Sequence, residues 1–101
     1  MISNKQLESM KRTAVLVNTA RGGLIDEEAL YRALKEHVIY AAALDAVVAE
    51  PSYSSPLCGL DNCILTPHAG ATTADAVDQM SMLAARNVVD VLETGACRFS
   101  V

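Results

Sequence analysis

Arg21, Asp45, Glu50 and His68 are of kinds that move protons or grip anions. Arginine presents a planar fork of donors that holds a carboxylate by two parallel bonds. Histidine, with an unperturbed pKa of about 6.5, exchanges a proton near neutrality. A carboxylate beside it favours the imidazolium form and suits it to act as a general acid. Arg21, His68 and Glu50 together fit a carbonyl group next to a carboxylate: the guanidinium anchors the acid, the imidazole protonates the oxygen, and Glu50 tunes the imidazole. Each also has a plainer reading. Arg21 before Gly22-Gly23 reads as a surface turn residue, and Asp45 as a cap for the turn that follows it. Glu50-Pro51 reads as solvated loop, and a histidine after Pro67 as structural.

Only the elements around them can bring the four together. Thr13-Ala14-Val15-Leu16-Val17-Asn18 and Ile39-Tyr40-Ala41-Ala42-Ala43-Leu44 are apolar runs without alternation. Such runs predict strands of a parallel sheet covered on both faces. Cys63-Ile64-Leu65 adds a third, shorter strand. Ser3 or Asn4 is placed to cap a short helix reaching about Met10. Asp26 is placed to cap a helix to about Glu36, with Glu27 and Glu28 against the positive end of its dipole. Leu30, Ala33 and Leu34 form its apolar stripe, and Ile25 before the cap could pack on Leu30 as a staple. From about Thr73 to Thr94 the spacing of Val77, Met80, Leu83, Ala84, Val88, Val91 and Leu92 predicts one long amphipathic helix, stopped by Gly95.

This alternation predicts an α/β fold with a parallel sheet, because parallel neighbours need a crossover of a dozen or so residues. In such a sheet every strand's C-terminal end lies on one edge, where open α/β sheets bind ligands. Those ends are Thr19-Ala20-Arg21, Asp45 and His68, and the irregular stretch 46–62 brings Glu50 from the same edge. A loop of that length is more often functional than idle. Gly22 and Gly23 are expected to permit a turn closed to other residues. Pro67 stiffens the exit of the third strand ahead of His68. His37 reads as a partner of the negative end of the preceding helix.

With 101 residues the chain is one domain at most. Its 51% hydrophobic but only 4% aromatic content implies an aliphatic, alanine-rich core. A net charge of −4 with eight scattered basic residues gives no positive footprint for nucleic acid. Cys58, Cys63 and Cys97 are odd in number and lack a CxxC spacing, which argues against a disulfide scaffold or a metal site and suits a reducing, cytoplasmic setting. The cysteines and Met80 and Met82 read as packing. No apolar run approaches the roughly 20 residues that cross a bilayer. The first residues lack the layout of a signal peptide.

The segments "LVNTARGGLIDEEAL", "AAALDAVVAEP" and "CILTPHAGATTADA", in this order, closely resemble the D-isomer-specific 2-hydroxyacid dehydrogenases. The likeness runs from about Ser3 to Gly95. It implies a partial Rossmann-like parallel sheet of about three strands, with flanking helices and a long C-terminal helix. It also implies an oxidoreductase that interconverts a D-2-hydroxy acid and a 2-oxo acid with NAD as cofactor. By that resemblance Arg21 would bind the substrate carboxylate and carbonyl oxygen, His68 would be the acid/base, and Glu50 its paired carboxylate. Asp45 would hold the nicotinamide carboxamide. Thr19, Ala20, Arg21 and the backbone of His68, Ala69, Gly70 and Ala71 would line the same pocket. The wording of "TPHAGATTADA" leans toward the phosphoglycerate branch, and NAD rather than NADP follows family habit. A homo-oligomer, a dimer in the family, is implied too.

The sequence departs from the family pattern in places. Glycine is usual where His37 stands, and an aromatic residue where Val47 or Val48 follows Asp45. No GxGxxG occurs in these 101 residues, so the loop that cradles a pyrophosphate at a helix N-terminus is not among them. The expectation is therefore the later half of a nucleotide-binding domain, with its last helix leading toward a substrate domain. Alone it should bind nicotinamide cofactor weakly, turn nothing over, and associate through uncovered apolar surface. Two further readings stay open: an NADH-sensing, corepressor-like protein on the same scaffold, and a non-catalytic module.

Overall fold

The computed structural model describes residues 1–48 and 51–96. They fall into two units, Met1–Ala69 and Gly70–Val101. The first unit contains α1 (Asn4–Glu8), β1 (Val15–Asn18), α2 (Glu27–Lys35), β2 (Ala41–Leu44) and β3 (Cys63–Leu65), with 3-10 turns at Gly22–Leu24, Ser52–Ser54 and Pro56–Gly59. The three strands pair in parallel in the order β1-β2-β3. Val15 stands beside Ala41 and Asn18 beside Leu44, and Ala42 beside Cys63 and Leu44 beside Leu65. The strand exits thus share one edge, as the alternation of elements requires.

Packing explains why α2 sits where it does. Ala29, Leu30, Ala33 and Leu34 recur at helical spacing and are all buried, against Leu7, Ile39, Ala42, Leu44 and Leu57. Asp26 caps the helix, its Oδ1 accepting the Ala29 N–H at 3.0 Å. The helix ends in a Schellman arrangement: the His37 N–H donates to the Leu34 carbonyl at 3.2 Å and the Val38 N–H to the Ala33 carbonyl at 2.8 Å. His37 therefore adopts φ 54°, the left-handed region. This is the physical reason glycine suits the position, since a side chain there costs about 1–2 kcal/mol. His37 is the turn residue beyond the helix, not merely a partner of its dipole.

The strand runs behave differently on their two faces. On one face Leu16, Ala42, Leu44 and Leu65 join the core. On the other, Val15, Val17 and Ile64 are 55%, 62% and 66% exposed. The expectation of strands covered on both faces is met on one face by the described residues. The apolar character of the other face is what made the runs look continuous.

In the second unit, Thr73 caps α3 (Ala74–Thr94), its Oγ1 accepting the Ala76 N–H at 3.2 Å. Gly95 ends the helix at φ 73°. The apolar stripe is present as its spacing predicts, and Val77, Met80, Leu83, Val88, Val91 and Leu92 are exposed along it. No helix among the described residues is long and apolar enough to cross a membrane.

The turn after β1 corrects one expectation. Neither Gly22 nor Gly23 has a positive φ. Gly22 is required by proximity instead: a methyl group there would come within 2.5 Å of the Val47 oxygen and the Val48 nitrogen. Nothing lies within 4 Å of such a group at Gly23. Gly22→Ala should accordingly lower stability by about 1–3 kcal/mol, the usual range for overpacking. Gly23→Ala should stay within about 0.5 kcal/mol of the parent or gain slightly. Urea unfolding of the two variants checks this, and equal losses would contradict the close approach.

Candidate functional site

The exit of β1 is shaped by Asn18. Its buried side chain donates to the Arg21 carbonyl at 2.8 Å and accepts the Ala20 N–H at 3.0 Å, which folds Thr19-Ala20-Arg21 into an Asx-type turn. The Asn18 carbonyl accepts the Asp45 N–H at 2.9 Å and so ties the first exit to the second. Arg21 is exposed at the mouth of this turn, and its Nη1 donates to the Ala20 carbonyl at 2.8 Å.

The exits of β2 and β3 meet through one atom. Asp45 Oδ1 accepts the Thr66 hydroxyl at 2.5 Å and the Ala69 N–H at 2.8 Å. These donors lie two residues before and one residue after His68. Between them His68 takes φ 55°, a left-handed conformation that a side chain enters at a cost of about 1–2 kcal/mol. Hydrogen bonds to a charged group contribute about 1.5–3 kcal/mol each. Even halved for solvent exposure, two of them offset the strain. A non-glycine residue held at positive φ is the kind of outlier found at ligand sites.

An open hollow of about 340 Å³ lies here. The strand exits supply Asp45, Thr66, Pro67 and His68, and the loop after β2 supplies Val47, Pro51 and Ser52. Its size is at the small end of the range for ligand sites, and its mix of apolar wall with a few polar groups is typical of them. A smaller hollow of about 90 Å³ lies on the open sheet face, where Thr19 and Thr66 stand with Val17, Ala43 and Ile64.

The sequence-derived residues are distributed as follows. Asp45, His68 and Ala69 come together through the clamp. Thr19, Ala20 and Arg21 occupy the neighbouring exit on the same edge, and Arg21 is not among the residues lining the larger hollow. Gly70 and Ala71 form the turn that opens the second unit. Glu50 and Cys97 lie outside the described residues. Sequence reasoning passed over Asn18, Thr66 and Ser52. An asparagine ending an apolar strand before a small-residue turn was a usable signal for the first. Among the described residues no group of three His, Cys, Asp or Glu could hold a metal ion. The Cys63 thiol is pushed up from its ordinary value by burial first, then by the nearby Cys58 and Glu27 charges. This favours the thiol over the thiolate, the reverse of what activates a cysteine nucleophile.

A hollow at the carboxyl edge of a parallel sheet, with His68 among its lining residues, lies where open α/β sheets bind ligands. Comparison with known proteins is more specific. Residues 1–70 match the family model described as D-isomer specific 2-hydroxyacid dehydrogenase, NAD binding domain. The chain is 50% identical over 92 residues to a D-3-phosphoglycerate dehydrogenase of Methanocaldococcus jannaschii, covering 91% of this chain and 18% of that protein. It is 48% identical over 89 residues to a glyoxylate reductase of Pyrococcus furiosus, covering 88% of this chain and 26% of that one. Among solved structures, a glyoxylate reductase from Paecilomyes thermophila superposes with a TM-score of 0.85 at 37% identity, over 100% of this chain and 31% of its own. A D-lactate dehydrogenase with NAD+ from Lactobacillus jensenii does so with a TM-score of 0.77 at 33% identity, over 100% and 34%. The chain belongs to the D-isomer specific 2-hydroxyacid dehydrogenase family. It spans less than a third of the length of the curated relatives it matches.

The clamp yields a direct expectation. Asp45→Ala should accelerate amide exchange at Ala69 by about tenfold or more, the loss of one charge-assisted bond. Asp45→Asn, which keeps an acceptor oxygen, should do so far less. Exchange at Ala69 measured by NMR decides it, and an unchanged rate in Asp45→Ala would show that the carboxylate does not hold the turn.

Proposed function

We propose that this chain supplies the acid/base and nicotinamide-binding edge of an NAD-dependent oxidoreductase acting on a small D-2-hydroxy acid and its 2-oxo counterpart. The observation that carries this is the Asp45 clamp, which holds His68 at the rim of the hollow on the carboxyl edge of the sheet. Membership of the family supplies the reaction class.

The hollow suits a nicotinamide end. Val47, Pro51 and Pro67 offer apolar wall for a flat ring, and Asp45 offers a carboxylate for a carboxamide N–H. The cofactor, when bound, supplies the hydride that reduces the carbonyl carbon. The residues of this chain do the rest. Arg21 anchors the substrate carboxylate through its two-pronged guanidinium and polarises the carbonyl oxygen. His68 gives its proton to that oxygen as the carbonyl becomes a hydroxyl, and takes it back in the reverse direction. Glu50 is proposed as its paired carboxylate. Glyoxylate and the 2-oxo partner of D-3-phosphoglycerate are the first substrates to try, as relatives of near-equal identity carry those names. NAD is the cofactor proposed, the setting cytoplasmic, and a homo-oligomer the working form.

The test is NADH oxidation by glyoxylate, catalysed by the protein in the full length in which it is made. His68→Gln should lower kcat by on the order of 10²–10⁴, the usual contribution of a positioned proton donor. Arg21→Gln should act chiefly on KM for the oxo acid, raising it by about 10²-fold for lost charge-assisted bonds. Full activity in His68→Gln would sink the assignment.

Residues 1–101 alone should show no turnover and little NADH binding by calorimetry, because the phosphates find no glycine-rich cradle among them. With Val15, Val17 and Ile64 open to water, they should also associate in sedimentation. Micromolar NADH affinity, or a stable monomer, would contradict those two expectations.

A further inference from the structure

Three successive acids open α2, and their partners differ. Asp26 caps the helix through the Ala29 N–H. Glu28 pairs with Arg32 one turn on, at 2.6 Å on the surface. Glu27 does neither. Its Oε1 accepts the N–H of Val48 at 2.5 Å, 21 residues away, and its Oε2 accepts the hydroxyl of Ser55 at 3.3 Å, 28 residues away. One carboxylate on a rigid helix thus holds the loop after β2 at two points.

Both points are braced from elsewhere. The Val47–Val48 backbone packs against Gly22, where no side chain fits. Ser55 is buried, and its Oγ accepts the Leu57 N–H at 3.4 Å, which links it to a core side chain that is wholly buried. Between the two points lie Pro51 and Ser52, which line the hollow beside His68.

We infer that Glu27 is a positioning residue: by holding Val48 and Ser55 together it sets the loop wall of the hollow. The inference rests on the proposed function for its consequence, but its structural half can be measured without any activity. Reach, rather than charge, is the property that matters. A glutamine keeps the reach, accepting from Val48 through Oε1 and donating to the Ser55 oxygen through Nε2. An aspartate keeps the charge that favours a helix N-terminus, yet is one methylene too short to span both donors.

The experiment compares Glu27→Gln with Glu27→Asp, both of which leave the core untouched. Amide exchange at Val48, read by NMR, should rise about tenfold or more in Glu27→Asp and stay within about twofold of the parent in Glu27→Gln. Exchange at Leu44 should not move in either. The opposite order, or Val48 protection unchanged in Glu27→Asp, would overturn the inference and leave Glu27 as a dipole residue. In the glyoxylate assay Glu27→Asp should raise KM for NADH several-fold more than it lowers kcat, and Glu27→Gln should behave as the parent. A parent protein without reductase activity would sink the functional reading alone, because the order of the exchange rates would still decide the role of Glu27.

Discussion

The parallel pairing of three short strands delivers three chain exits to one edge, and what makes them a site is that two exits share a single acceptor atom. Asp45 Oδ1 takes a donor from Thr66 and another from Ala69. A strand exit held only by its ladder frays after its last bond, here the Thr66 N–H to the Leu44 carbonyl at 3.0 Å. The carboxylate extends order past that point and holds His68 in a conformation that its own backbone energetics resist. Removing the clamp would release the strain and free the backbone on both sides of His68 together.

The opposite wall is fixed by different means. Val47 and Val48 are pressed against Gly22 by shape, while Glu27 binds Val48 and Ser55 by hydrogen bonds. The residues that shape the turn after β1, cap α2 and brace the loop beside the hollow therefore fall within one short stretch of sequence. The words "RGGLIDEEAL" encode a turn, a helix start and a loop brace at once.

That overlap explains what could be read from the sequence. The helices were legible because their signals are local: Asp26 caps α2 where expected, α3 runs over the expected span, and Gly95 stops it. The parallel pairing and the shared edge followed from alternation, while the strand order did not. The uncovered face was harder to see, since Val15, Val17 and Ile64 are apolar whether or not anything covers them. Gly22 was noticed for the wrong reason, because close approach to Val47 depends on a chain segment 25 positions on. Glu27 looked like a dipole residue for the same cause. Its partners lie 21 and 28 residues away, and no local pattern announces them.

Arg21 shows how a braced backbone and an exposed side chain can occupy one turn. Asn18 fixes the backbone of residues 19–21 with two bonds from a buried amide. The guanidinium itself is exposed and rests on the adjacent Ala20 carbonyl. A neutral bond of that kind contributes only about 0.5–1.5 kcal/mol and exchanges readily with water. A bidentate pair with a carboxylate is roughly twice as strong per bond. An anion within reach would therefore compete well with the Ala20 carbonyl for the guanidinium. That is the property the proposed carboxylate-binding role of Arg21 requires.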